Sequence, residues 1–381
     1  MPWHVVNDPL EQWQALPAFM VAEVLFIGLA LLALWHARER GRTHQLVWLG
    51  ALVAGTANDL IFMALPLVDN FWHSQATIML TPRLPLYIPC VYISFLYYPT
   101  VAVRRLRMNA LGTAALTGLA AVIFYAAFDI TGAKLLWWTW HDTDLPVASR
   151  ILGAPTSSTL WVLTFAGTFS WLVHRVVAGD AGAEAGTLTH RTFAKGLAVV
   201  AGLSTILMVL QITLLQQLDG GAPAYAALGV GVAIYAGLAA HGLRSASPGA
   251  SAPADRGAFV GVVFYALTLA VCMAVFDPSA QRSTGTHQVP GPCYVEAQDI
   301  TGLTRHEFLC VSDYDEDFTF DCPAAEAEEL VSGARWYTIC GRPHTNHRVW
   351  MAGVTGLAVV TIGLFAWLFG VRRSRRSSSG D

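Results

Sequence analysis

Nine stretches of this sequence are each close to the length of about 20 apolar residues that crosses a bilayer as a helix. They run Pro17–Ala37, Leu46–Val68, Leu84–Val103, Asn109–Phe128, Thr156–Val177, Ala194–Gln216, Pro223–Leu243, Gly257–Phe276 and Val349–Val371. A chain that repeats such segments has few options, because backbone polar groups in hydrocarbon must be satisfied within helices. Composition agrees: 54% of residues are hydrophobic, 13% are charged, and the mean hydropathy is +0.48. The first segment has no basic start and is too long for a cleavable leader, which predicts that it stays as a helix. The net charge of −3 excludes little, and no basic groove interleaved with aromatics points to nucleic acid.

Basic residues set an orientation. Arg38, Arg40 and Arg42 follow the first segment, Arg104, Arg105 and Arg107 the third, Arg175, Arg191 and Lys195 the fifth, Arg244 and Arg256 the seventh, and Arg372, Arg373, Arg375 and Arg376 the ninth. The opposite loops hold Arg83, Lys134 and Arg150. By the loop-charge rule the N-terminus is extracellular or lumenal and the C-terminus cytosolic, in a plasma or secretory-pathway membrane. Cys293, Cys310, Cys322 and Cys340 fall in the long loop assigned to the outside, which predicts two disulfides with three pairings open.

The expected fold is an all-α polytopic membrane protein of about nine transmembrane helices, a seven-helix bundle plus a helical hairpin, with a small disulfide-stapled extracytoplasmic insert. Residues 1–244 form the bundle and 245–256, rich in Ser, Pro, Ala and Gly, a flexible cytosolic linker. Residues 257–371 form a hairpin carrying the loop 277–348, a natural cap, and 372–381 a basic tail suited to anionic lipid. Asp313, Asp315 and Asp317 lack the glycine and distal glutamate of a calcium loop. The seventh segment has no lysine for a retinal Schiff base and no N-P-x-x-Y, so the helix count alone does not make a rhodopsin or a G-protein-coupled receptor.

Charges in hydrocarbon cost about 2.5 to 3.5 kcal/mol each on insertion scales, so each needs a partner or a task. Glu23 and Asp59 lie at similar depths from the outer face, with Asn58 and Gln211 in the same layer. The outer loops add His73, Arg83 and Arg150, and the stretch WWTWHDTD, Trp137 to Asp144. Its Trp137, Trp138 and Trp140 suit the headgroup layer, while His141, Asp142 and Asp144 suit acid–base work or a divalent metal. The expected site is an outward pocket floored by Asp59 and Glu23, with His73, His141, Asp142 and Asp144 as acid–base groups. Asn58, Arg83, Trp137, Trp138, Trp140, Arg150 and Gln211 would contact substrate. His73, His141 and Asp144 are candidate ligands for zinc, provided that His73 and His141 converge. The inner halves of the first, second and sixth segments are almost wholly apolar, which argues against a path through the membrane.

With DNFWHSQ, TPRLP, WWTWHDTD and WYTICG, the chain resembles a family of uncharacterised multi-pass membrane proteins that share a W-W-T-W-H-D-T-D signature. Over about 30 residues, WWTW followed by Gly153, Pro155, Ser157 or Ser158 and Trp161 is similar to the W-x-W and G-x-P-x-x-[NS] stretch of integral membrane carotenoid hydratases. That resemblance implies an isoprenoid substrate. The expected activity is therefore that of a lipid- or isoprenoid-modifying enzyme of hydrolase or hydratase type, with membrane lipids as partners. A transporter of a small polar solute, or a receptor whose binding module is the cysteine-bearing loop, are the alternatives.

Overall fold

The computed structural model describes residues 5–65, 67–68, 70–180, 188–246, 253–287, 289–310, 318–319, 322 and 335–371. The acidic run at Asp313, Asp315 and Asp317, residues 247–252 of the linker and the basic tail 372–381 lie outside them.

A short helix α1 (Pro9–Ala15) leads into α2 (Pro17–Arg40) and α3 (Arg42–Ala64). After strand β1 (Phe71–His73) come α4 (Tyr87–Arg104) and α5 (Ala110–Lys134). Strand β2 (Trp138–Trp140), the turn of helix α6 (Leu145–Ala148) and the hairpin β3 (Arg150–Ile151) and β4 (Ala154–Pro155) precede α7 (Thr156–Ala178). Then α8 (His190–Leu215), α9 (Tyr225–Arg244) and α10 (Arg256–Val275) follow. Between α10 and α11 (His347–Leu368) lie β5 (Arg282–His287), β6 (Pro290–Gly291), β7 (Glu296–Gln298), β8 (Thr304–His306), β9 (Leu309–Cys310), β10 (Phe318–Thr319) and β11 (Arg335–Gly341).

Eight helices among the described residues are long and apolar enough to cross a membrane: α2, α3, α5, α7, α8, α9, α10 and α11. The ninth expected segment is α4, and it differs for a physical reason. It spans 18 residues that include Tyr87, Tyr92, Tyr97, Tyr98, Pro89 and Pro99, and all but two of these residues are buried. It packs against α2, α3, α5 and α7, so its tyrosine hydroxyls meet protein rather than lipid. The chain enters α4 beside the β-rich end of the bundle and leaves it where Arg105 approaches Asp255, so α4 runs the length of the bundle inside a ring of more apolar helices.

The insert between α10 and α11 corrects the all-α expectation. It is built of short strands, with β5 paired antiparallel to β11 from Arg282↔Cys340 to His287↔Arg335. The pairings left open by the sequence are Cys293–Cys310 and Cys322–Cys340. Nor is the hairpin α10–α11 a separate layer: it packs against α2 and α5, and Tyr265 of α10 stacks on Phe124 of α5 at 4.0 Å between ring centroids. At the end of the bundle away from the insert, Asp255 receives His36 Nε2 at 2.9 Å and Arg40 at 3.2 Å, and its backbone N–H donates to Phe369. One acidic residue thus joins α2, α10 and the end of α11. The insert is called the cap, and its end of the bundle the cap end.

Candidate functional site

Sequence places a glycine one helical turn before the buried carboxylate of α3, and that spacing creates the site. Gly55 and Asp59 share a face at i and i+4. A Cβ on Gly55 would lie 2.2 Å from Tyr92 Cγ, so only glycine lets the Tyr92 ring lie against α3. There the Tyr92 hydroxyl donates to Asp59 Oδ1 at 2.7 Å and accepts from Asn58 Nδ2 at 3.2 Å, while Thr205 Oγ1 of α8 donates to Asn58 Oδ1 at 3.2 Å. His73 Nε2 stands 3.4 Å from Asp59 Oδ2. The result is a buried chain, Thr205, Asn58, Tyr92, Asp59, His73, drawn from α8, α3, α4 and β1.

Asp59 Oδ2 and both His73 ring nitrogens have no aligned hydrogen-bond partner among the described residues. Buried groups of this kind cost about 1–3 kcal/mol each when left unsatisfied, and they concentrate at functional sites.

His73 reaches the bundle through a two-stranded ribbon. β1 pairs antiparallel with β2 in the register Phe71↔Trp140, Trp72↔Thr139, His73↔Trp138. Alternation then puts Phe71, His73, Trp138 and Trp140 on one face and Trp72, Thr139 and His141 on the other. Gly132, in the last turns of α5, makes this fit: a Cβ there would sit 2.0 Å from the Trp138 ring.

The inner face of the ribbon roofs a cavity of about 690 Å³. Asp59 and His73 line it together with a continuous run of aromatic rings, the aromatic wall. Its neighbours are Tyr92–Trp161 at 5.7 Å, Phe95–Tyr125 at 5.1 Å, Tyr125–Phe128 at 5.1 Å and Phe128–Trp138 at 4.9 Å between ring centroids. Phe95 and Trp161 of this wall are backed by Phe165, which lies outside the lining. Ile61 of α3 and Val209 of α8 both line the cavity and are exposed, at 47% and 40%. The cavity therefore reaches the apolar flank of the bundle between α3 and α8, above the contact of Asn58 with Thr205. The tip of the β7–β8 hairpin, Thr301 to Leu303, and Gly220 and Gly221 edge the mouth at the cap end.

The HDTD loop does other work. His141 Nε2 donates to the Phe308 carbonyl at 2.7 Å, which places the proton of the neutral ring on that nitrogen. His306 Nδ1 donates to the Thr143 carbonyl at 2.5 Å, and Thr143 Oγ1 to the Cys293 carbonyl at 3.3 Å. Asp144 is paired with Arg305, whose Nε also bonds Asp299 at 3.0 Å. These contacts seat the cap on the bundle. Burial holds His141 down to about 4 despite the Phe308 carbonyl, and pushes Asp144 up to about 6 against the pull of Arg305.

Several expected site residues fall elsewhere. Glu23 does not floor the cavity; it accepts from the Thr77 N–H at 2.9 Å and from Thr77 Oγ1 at 2.9 Å, tying α2 to the segment before α4. Trp137 and Trp138 are not headgroup anchors, for both are buried: Trp137 against Phe19 and Phe128, and Trp138 in the cavity roof. Trp140 is half-buried and lines the cavity. Asp142 pairs with Arg150 at 3.4 Å, Arg83 donates to the Met63 carbonyl at 3.2 Å, and Gln211 bonds Thr168 and Tyr235 at 2.7 and 2.8 Å, all outside the cavity lining.

The expected zinc ligands are not brought together, because His73 and His141 occupy opposite faces of the ribbon and Asp144 is engaged by Arg305 and Asn70. Among the described residues no group of three His, Cys, Asp or Glu side chains is placed to hold a metal. The residues the sequence did not single out are Tyr92, Thr205, Arg305 and Asp299. Tyr92 is one of four tyrosines in α4 and Arg305 a lone charge in a loop, so neither carries a local signal.

No curated protein and no solved structure matches the chain. One family does, described as Domain of unknown function (DUF7802), and its match over residues 3–214 and 229–369 takes in the ribbon, most of the cavity lining, most of the helices and the cap. The chain belongs to that family.

Proposed function

We propose that this chain is a multi-pass membrane enzyme whose cavity receives a lipid or isoprenoid amphiphile from the bilayer and exposes it to acid–base chemistry of hydrolase or hydratase type. The cap end faces the lumen or the cell exterior in this reading, in keeping with its two disulfides and with the basic residues at the opposite end. The observation that carries the proposal is the buried Asp59–His73 pair on the wall of an apolar cavity that opens sideways between α3 and α8.

His73 is the proton carrier and Asp59, held by Tyr92 and Asn58, orients its ring and balances the charge it acquires. In a hydrolysis, His73 takes a proton from water as the water oxygen bonds to the acyl carbon, then returns it to the leaving oxygen. A hydration uses the same two transfers in the opposite order, to the double bond and then from the water. Ser157, Ser158 and Trp161, which carry the similarity to carotenoid hydratases, line this cavity. Its aromatic wall, backed by Phe165, favours a one-sided site over a transport path.

The test is turnover. Purified protein incubated with an extract of membrane lipids and isoprenoids, followed by mass spectrometry, is expected to deplete one class of species, with products that differ by one water. A His73→Gln variant that keeps its thermal unfolding profile is expected to lose at least 100-fold of that rate, the usual scale of acid–base catalysis. Equal turnover by the variant overturns the assignment.

A further inference from the structure

The proposed function leaves the polar end of the amphiphile unspecified, and the charges of the cavity narrow it. Among the described residues, and apart from the tyrosines Tyr92 and Tyr125, four acidic or basic side chains line the cavity: Asp59, His73, Asp299 and Arg305. Arg305 is the only permanent cation of the four, and it is held between Asp144 and Asp299. Among the described lining residues an anionic headgroup finds no guanidinium or ammonium outside that pairing, and it approaches the Asp59 carboxylate in a low-dielectric setting where like charges repel strongly.

A cation meets the opposite surroundings. It finds a carboxylate whose Oδ2, 3.4 Å from His73 Nε2, has no aligned hydrogen-bond partner among the described residues, and in the same lining the rings of Tyr92, Phe95, Tyr125, Phe128 and Trp161. Aromatic faces attract a cation within about 6 Å of their centroids, most strongly where water is excluded. Tyr92 joins the two features, since its hydroxyl donates to Asp59 at 2.7 Å while its ring packs edge-on to Trp161 at 5.7 Å. The gap beside Ile61 and Val209 gives an alkyl chain a way out into the bilayer.

We propose that the ligand is an amphiphile with a single ammonium head, a protonated or quaternary amine, seated between Asp59 and the aromatic wall with its chain leaving between α3 and α8. This rests on the reading that the cavity receives a membrane amphiphile; it does not rest on turnover.

The test compares three probes with one chain length, dodecyltrimethylammonium, dodecanol and dodecyl sulfate. Each is titrated below its micelle concentration into protein held in dodecyl maltoside free of choline lipids, with intrinsic tryptophan fluorescence as readout. The ammonium probe is expected to bind at least tenfold more tightly than the alcohol, with the sulfate weakest. Asp59→Asn is expected to erase that preference, and Phe95→Leu, which keeps the carboxylate but replaces a ring by a smaller aliphatic side chain, to reduce the ratio of ammonium to dodecanol affinity severalfold. If Asp59→Asn does not fold, the wild-type ranking and Phe95→Leu decide. Equal binding of alcohol and ammonium, or tightest binding of sulfate, overturns the inference but leaves the acid–base reading to the His73→Gln assay. Saturable binding of none of the three overturns the inference and the amphiphile cavity together.

Discussion

His141 and Asp144 stand three residues apart in the loop that seats the cap, and the same burial moves their proton affinities in opposite directions. His141 is held down to about 4 from its ordinary 6.5, so it is neutral in the docked cap and gains a proton on release. Its contribution is present above pH 6.5 and is lost as the pH falls toward 4. Asp144 is pushed up to about 6 from 3.8, so the docked form takes its proton first. Its contribution is present below pH 3.8 and is lost as the pH rises through 6. The two nearly cancel, so together they are expected to add little slope to the unfolding of the intact protein between pH 7 and 4. His141→Gln is expected to become more stable on acidification and Asp144→Asn less stable, each slope approaching about 1.4 kcal/mol per pH unit inside its window. Thermal unfolding in detergent at a series of pH values reads this directly; slopes of one sign in both variants contradict the assignment of these two residues to the docking contact.

At the scale of elements, two glycines set how closely the pieces of the site approach. Gly55→Ala forces Tyr92 away from α3, and Gly132→Ala forces the Trp138 ring and with it β2 away from α5. Overpacking of this kind costs about 1–3 kcal/mol. Both variants are expected to lower the unfolding midpoint, but only Gly55→Ala separates Tyr92 from Asp59, so it is expected to weaken ammonium binding more than its loss of stability accounts for. Equal binding by Gly55→Ala and the intact protein would show that the Tyr92–Asp59 contact is not part of the site.

The helices themselves were legible because hydrocarbon demands apolar runs of fixed length, and all nine expected segments are helical. The ribbon was not, since three-residue strands such as Phe71–His73 have too few positions to show alternation. Nor was the fate of WWTWHDTD: its polar residues carry the chemistry of a site, but the cap, more than 140 residues later in the chain, uses them for docking.

On the scale of the whole molecule, α4 shows why residue content alone could not rank the helices by membrane contact. Its tyrosines and prolines are tolerable only because α2, α3, α5 and α7 surround it, and that arrangement is set by packing rather than by its own pattern. The same central position brings Tyr92 to Asp59, so the least apolar long helix is the one that builds the site. Asp59 was visible as a buried charge from its place in an apolar run, whereas its partners on α4, α8 and β1 depend on how separate segments meet. The Asp255 contacts close the bundle at the end away from the cap, while the cavity reaches the outside both at its mouth by the cap and at the flank between α3 and α8.

The central claim, that an amphiphile passes from the bilayer through that flank to the Asp59–His73 wall, is tested most directly by photo-cross-linking. A long-chain amphiphile bearing a diazirine on its chain, irradiated with the protein in membranes and mapped by peptide mass spectrometry, is expected to label Ile61, Val209, Phe95 and Tyr125, with competition by excess unlabelled amphiphile. Labelling confined to outward-facing residues such as Val24 and Leu214, which are 73% and 74% exposed, with no competable adduct in the cavity, would contradict it.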